Sequence, residues 1–199
     1  VVDSAKEARL LNTLGTATIT ITYTEKYLDG TSDKQSVAIT VSVTADPVKP
    51  DGTPNAEGFA VTPIPDAGKE MEYKDDAGNK VEPENVQGKL ADAAPGTLEE
   101  EVKKNPTFNN VGNGDVVYEN ISFKDEKGKP VTFANGKMQV TVPYPADSDK
   151  GDEFVMLMPD GEGKMKAIVP QKTADGLQFE IENSDVTFAI GWYTPAPSP

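Results

Sequence analysis

VVYENISF (116–123), KMQVTVPY (137–144), DEFVMLM (152–158), KMKAIV (164–169), GLQFEIE (176–182) and DVTFAIGW (185–192) follow one another in the second half of the chain. Each is short, and several alternate apolar and polar residues. Met138-Val140-Val142, Leu177-Phe179-Ile181 and Val186-Phe188-Ile190-Trp192 carry the alternation most cleanly. Turn-forming stretches separate the runs: KDEKGKP, DSDKG, PDGEGK, KTADG and ENS. Period-two runs with regular punctuation predict an antiparallel β-sheet domain. Met156, Met158 and Met165 fall in these strands as flexible core fillers. Trp192 shares the inward parity of Val186, Phe188 and Ile190 and is assigned to the core.

The chain upstream contains a second β-rich unit. TATITITYT (16–24) and SVAITVSVT (36–44) alternate Ala17, Ile19, Ile21, Tyr23 and Val37, Ile39, Val41, Val43 against threonine and serine. The connection at 25–35 holds Asp29-Gly30, a turn signal, so the two runs form a hairpin. A lone hairpin is marginal and must pack on something. Before it, Ser4 and Glu7 have capping-box spacing, and Ala8, Leu10, Leu11 and Leu14 form an apolar stripe, consistent with a short helix. The competing reading of 1–15 is the remainder of a truncated β-domain. The stretch 47–57, rich in proline and acid, reads as a linker.

Between linker and main domain, GFAVTPIP (58–65) reads as an edge strand, because Pro63 and Pro65 cannot serve a central ladder. Tyr73–Val81 aligns with Phe123–Val131, and Gly88-Lys89-Leu90 mirrors Gly136-Lys137-Met138. Two similar hairpins with Asp-x-x-Gly turns, or an internal duplication, account for this. In APGTLEEEVKKN (94–105), Thr97 and Glu100 have capping-box spacing and Pro106 stops the helix. The tail at 194–199 is a Pro/Ser spacer.

Composition narrows function. The chain has 199 residues, 33 acidic and 19 basic, and a net charge of -14. A hydrophobic content of 36% and a mean hydropathy of -0.50 fit two thin-cored β-units better than one large globule. Acidity on this scale argues against nucleic acid, which needs a clustered basic surface. The absence of Cys and His removes thiol nucleophiles, the usual zinc sites and Ser-His-Asp triads. No apolar run reaches a membrane span, and no signal peptide opens the chain, which reads as a mature or trimmed piece.

Four constellations bear on chemistry. Asp147, Asp149, Gly151, Asp152 and Glu153 have closely spaced oxygens of the kind calcium takes, but the glycine sits one place early for an EF-hand and Met158 stands where the bidentate Glu belongs. A solvated acidic loop is the adopted reading. Glu99, Glu100 and Glu101 are helix-start acids complementing the dipole rather than an acid/base cluster. Trp192 with Tyr193 as a sugar platform conflicts with the core parity of Trp192. A Lys124–Asn183 isopeptide crosslink conflicts with the outward parity of Lys124. No catalytic, cofactor-binding or metal-ligating residue is assigned.

Two resemblances add to this. Gly15–Tyr23 followed by Val37–Val43 resembles the C-terminal half of bacterial Ig-like repeats of the group-2 type. Tyr118, Ile121, Phe123, Asp125, Gly128, Val131, Val140, Val142, Pro143 and Pro145, with the closing Phe188-Ala189-Ile190, resemble an Ig-like module of Gram-positive (Firmicutes) cell-surface proteins. This chain has Asp185-Val186-Thr187 where that module has His-Phe-Ser. The resemblance implies a wall-proximal location. The expectation is an all-β chain of antiparallel Ig-like β-sandwich type: two tandem β-rich units with one or two short helices, divided as 1–46, linker 47–57, sandwich 58–193 and spacer 194–199. The expected function is a non-catalytic structural or adhesive module of a bacterial cell-surface or secreted protein. It would be a monomer within a larger chain, with a host or matrix protein or glycan as partner. The alternative is a carbohydrate-binding accessory module of a secreted polysaccharide-degrading protein.

Overall fold

The computed structural model describes residues 15–27, 29–43, 46–112 and 114–196. It divides into two compact units, Val1–Thr44 and Ala45–Pro199. The helix expected within 1–15 falls on residues 1–14, which lie outside the described residues, and Gly15 opens a strand.

In the first unit, β1 (Gly15–Lys26) pairs antiparallel with β2 (Ser32–Val43). The register sets Ile19 opposite Ile39 and Ile21 opposite Val37, with Thr18 opposite Thr40 on the alternate positions. Gly30 at φ 85° makes the turn, and Asp29 accepts from the Thr31 amide at 2.9 Å and its hydroxyl at 2.6 Å. The Asp-Gly pair therefore acts as its sequence predicts: a carboxylate satisfies the loop and glycine takes the left-handed backbone.

The second unit is an all-β sandwich. Its strands are β3 (Ala60–Pro65), β4 (Glu72–Asp75), β5 (Val86–Asp92), β6 (Val116–Asp125), β7 (Val131–Ala134), β8 (Gly136–Val142), β9 (Glu153–Pro159), β10 (Met165–Ile168), β11 (Gln171–Lys172), β12 (Leu177–Ile181) and β13 (Asp185–Tyr193). One sheet has the order β10-β9-β13-β6-β5, the other β11-β12-β8-β3, and β4 pairs with β7. All pairings are antiparallel. Every second residue faces the space between the sheets: Leu90, Ile121, Phe188, Met156 and Met158 from one side, and Val61, Met138, Val140, Phe179 and Ile181 from the other, all buried. Phe179 and Phe188 meet across this space, ring centroids 5.2 Å apart and nearly perpendicular.

A third layer covers the outer face of the five-stranded sheet. Helix α1 (Leu98–Lys104) and a 3-10 turn at Pro106–Phe108 bring Leu98, Val102 and Phe108 against Val155, Leu157 and Ala189. This explains why the middle of β9 is buried on both faces. The expected capping box does not form. Thr97 has helical φ/ψ (−71°, −20°) and makes no side-chain cap bond, whereas a capping hydroxyl needs extended backbone to reach the next turn's amides. Pro106 ends the helix as expected, and Asn105 caps the following 3-10 turn through the Thr107 amide at 3.0 Å. Gly191 is required under this cover. A Cβ there would sit 2.8 Å from the Phe108 ring and 3.0 Å from Val111. Gly191→Ala is expected to cost about 1–3 kcal/mol by overpacking, read from urea unfolding, with the sheet-to-sheet core intact.

Two further expectations need amendment. The stretch 47–57, expected to be a linker, carries contacts of the second unit: Val48 is buried and bridges Gly88, its amide 2.9 Å from the Gly88 carbonyl. Asn55 accepts from the amide of the fully buried Phe59 at 2.9 Å. Prolines leave the segment non-periodic, so pattern alone misses a docked segment that makes a single bridge. Met165, expected in the core, is 40% exposed because β10 is an outer strand and this position faces away from the inter-sheet space. The two aligned hairpins both form as read from sequence, Lys74 bridging Lys80 and Lys124 bridging Pro130 across matching Asp-x-x-Gly turns; Tyr73–Asp75 then pairs with Val131–Phe133, while β5 joins β6.

The sheet edges are blunted. β3 is an edge strand and carries Pro63 and Pro65, as read from sequence. At one edge of the five-stranded sheet β10 is four residues long, bears Lys166, and is followed by Pro170.

Candidate functional site

The acidic loop between β8 and β9 was the strongest metal candidate, and its Asp152 and Glu153 carboxylates are engaged by the chain itself. Asp152 is 5% exposed. Its Oδ2 accepts from the Asp149 amide at 2.8 Å, and its Oδ1 from the Thr194 hydroxyl at 2.8 Å. Lys172 Nζ reaches the Asp152 carbonyl at 3.0 Å and Glu153 Oε1 at 3.3 Å. Ser148 folds back on the Pro145 carbonyl at 2.8 Å, and the Tyr144 hydroxyl donates to the Thr173 carbonyl at 2.8 Å. The loop therefore fastens β8, β11 and the end of β13 together. Among the described residues no group of three or more acids is arranged to hold a metal ion. Asp152→Ala is expected to destabilise by about 2–3 kcal/mol, since hydrogen bonds to a buried charge are lost. Added calcium should leave the thermal midpoint of the unmodified protein unchanged.

The other candidates resolve similarly. Glu99 and Glu100 both pair with Lys103, at 2.8 and 3.3 Å, on the exposed side of α1, where such pairs contribute little. Trp192 is buried at 4% beside Phe154 in the register, and Tyr193 lies opposite Glu153. Asn183 gives its amide to the Asp160 carbonyl at 2.7 Å. Lys124 lies opposite Gln87, and Glu119, whose Oε2 is the buried side-chain oxygen without a hydrogen bond among the described residues, is five residues earlier on β6, about 16 Å away. The three groups an isopeptide bond needs are not brought together. An open groove of ≈ 680 Å³ along β4 is lined by Lys69, Glu70, Glu72, Lys74 and Lys80 around the buried Tyr73. Its charges alternate and are partly paired, as in Lys74–Glu72 at 3.2 Å.

Turn carboxylates follow one rule. Asp75, Asp125 and Asp160 each open an Asp-x-x-Gly turn, and each Oδ1 accepts from the amides two and four residues on, at 2.8–3.0 Å. The Asn79 side chain holds the Asp75 carboxyl below its ordinary range, and the Lys164 amide does the same for Asp160. Glu182 is also held low, first by the Gly161 amide at 2.9 Å, and pairs with Lys137 and Lys166 from different sheets at 3.5 and 3.7 Å.

Glu119 was missed. It occupies an inward position of β6, between Val117 and Ile121, opposite Phe188 on β13 and Asp92 on β5. Its Oε2 is buried and makes no hydrogen bond. Burial, then the field of Asp92, pushes its carboxyl up to about 8. The signal was present in VVYENISF: the alternation that makes Ile121 and Phe123 inward makes Glu119 inward too.

The chain matches no family model, no curated protein and no solved structure. Its function therefore rests on this geometry and on the motifs in its sequence.

Proposed function

We propose that the chain is a non-catalytic structural or adhesive module of a bacterial cell-surface or secreted protein. Its 58–193 region is read as an Ig-like sandwich, and its hairpin unit as part of a group-2 Ig-like repeat. The observation that carries this reading is the use made of the acids. Asp75, Asp125, Asp152, Asp160 and Glu182 are bound to loop amides, a hydroxyl and lysines that fasten turns and sheets. A chain built this way is a stiff, soluble spacer, and its blunted edges keep it a monomer within a longer protein. The partner is a host or matrix protein or glycan engaged by this module or by a neighbour it holds away from the wall.

Antibodies against 58–193 should label intact, unpermeabilised cells or detect the protein in culture medium. Signal confined to the cytoplasmic fraction would sink the reading. Replacing 58–193 by an unrelated sandwich of similar length separates the two roles. Retained surface function indicates a spacer, and lost adhesion indicates a contact surface.

A further inference from the structure

Glu119 sits in a cross-strand row with Asp92 on one side and Phe188 on the other. The two sides differ. Phe188 belongs to the closed inter-sheet core, stacked edge-on with Phe179. Asp92 is solvent-exposed and is the last residue of β5. Past it, the Ala93 amide donates to the Tyr118 carbonyl at 2.9 Å, and the chain then leaves for α1. The buried, unpartnered oxygen thus lies one strand away from the end of an edge strand.

Glu119 as a neutral acid leaves one polar atom unpaired, a modest cost. As an anion it places a buried charge beside Asp92, with no donor to receive it. Asp92 is the charged group whose field reaches it. Its β13 neighbour, Phe188, carries no charge. Glu99 and Lys103 of α1 act instead on Tyr118, on the opposite face of β6. Relief by hydration is cheapest on the β5 side, where only the last rungs must part. On the β13 side the whole core would have to open.

We propose that Glu119 and Asp92 form a proton-operated latch at the end of the β5–β6 seam: with Glu119 protonated the seam is closed through Ala93, and with Glu119 ionised the carboxylates part the end of β5 from β6. Because α1 begins six residues after Asp92, this opening also loosens the anchorage of Leu98 and Val102 on Val155, Leu157 and Ala189.

Hydrogen exchange on the full chain tests this, with rates corrected for base catalysis and compared between about pH 6.5 and pH 9.5. Protection of the Ala93 amide should fall about tenfold or more, with Leu98–Lys104 following, while Val140 and Phe179 on the four-stranded sheet hold theirs. Glu119→Gln, neutral throughout, should abolish the fall. Asp92→Asn should move it to lower pH and make it smaller, because the negative field that raises Glu119 is gone. Flat protection in the unmodified protein, or an equal fall in Glu119→Gln, overturns the latch. Should Glu119→Gln not fold, Asp92→Asn at its exposed position decides: an unmoved midpoint overturns the proposal.

Discussion

Phe188→Ala is expected to lower the unfolding free energy of the second unit by about 3–5 kcal/mol. Phe188 is fully buried near the centre of β13, the middle strand of the five-stranded sheet. Its ring contacts Phe179 of the opposing sheet at 5.2 Å. Truncation removes transfer energy and the edge-to-face contact, about 0.5–1.5 kcal/mol of it beyond area. It also leaves a void walled by two sheets that cannot easily collapse. Phe188→Leu should cost clearly less, because it keeps most of the volume. At about 2–4 °C per kcal/mol, the alanine variant should melt roughly 6–20 °C lower. Trp192 is the single tryptophan and is buried in this unit, so its fluorescence reports the second unit alone. A loss below about 1 kcal/mol would mean that the sheets do not pack through this ring.

Much of this architecture was legible because alternation reports which face of a strand is buried. The inward parity of Met138, Val140, Phe179, Ile181 and Trp192 reads directly off the sequence, and each is buried. Alternation does not report partners. Tyr73–Asp75 pairs with residues nearly sixty positions away, and consecutive strands β8 and β9 enter different sheets. Those choices depend on long-range packing that no local pattern encodes. The third layer did leave a trace: Phe154–Met158 is apolar at every position, which means burial on both faces. Weighing the acids as clusters also hid their roles. Spacing in sequence showed which carboxylates were close together, but Asp152 is defined by Thr194, forty-two residues away. Glu119 stands alone on an inward parity, and among the described residues it is the acid the core leaves unsatisfied.

Stability of the second unit is expected to fall as pH rises from about 5 to about 9, and Glu119→Gln should remove that slope. The folded-state value of about 8 lies above the ordinary 4.5. Below about 4.5 both folded and unfolded chains hold the proton, so Glu119 adds no pH dependence. Between the two values the folded chain keeps a proton that the unfolded chain has released, so rising pH favours unfolding. Above about 8 both are ionised and the curve levels off with the penalty in full. A shift of this size has a ceiling of about 4–5 kcal/mol. The side chain is only part-buried as a whole, and the seam can open locally, so about 2–3 kcal/mol is the expected loss. The global loss cannot exceed the cost of parting the end of β5, which ties this measurement to hydrogen exchange at Ala93. Other shifted groups act outside this window. Asp75, Asp160 and Glu182 are held low, so the stability they contribute is lost only as pH falls below the ordinary carboxylate range. Lys80, Lys103 and Lys137 are raised from 10.5, and Tyr73 from 10.0, so they change only at higher pH. The chain has no His and no Cys to titrate between. The difference between Glu119→Gln and the unmodified protein, read by urea unfolding with Trp192 fluorescence, isolates this carboxyl: Glu119→Gln should match the unmodified protein near pH 5 and exceed it near pH 9, and a difference independent of pH would place Glu119 in contact with solvent rather than with the core.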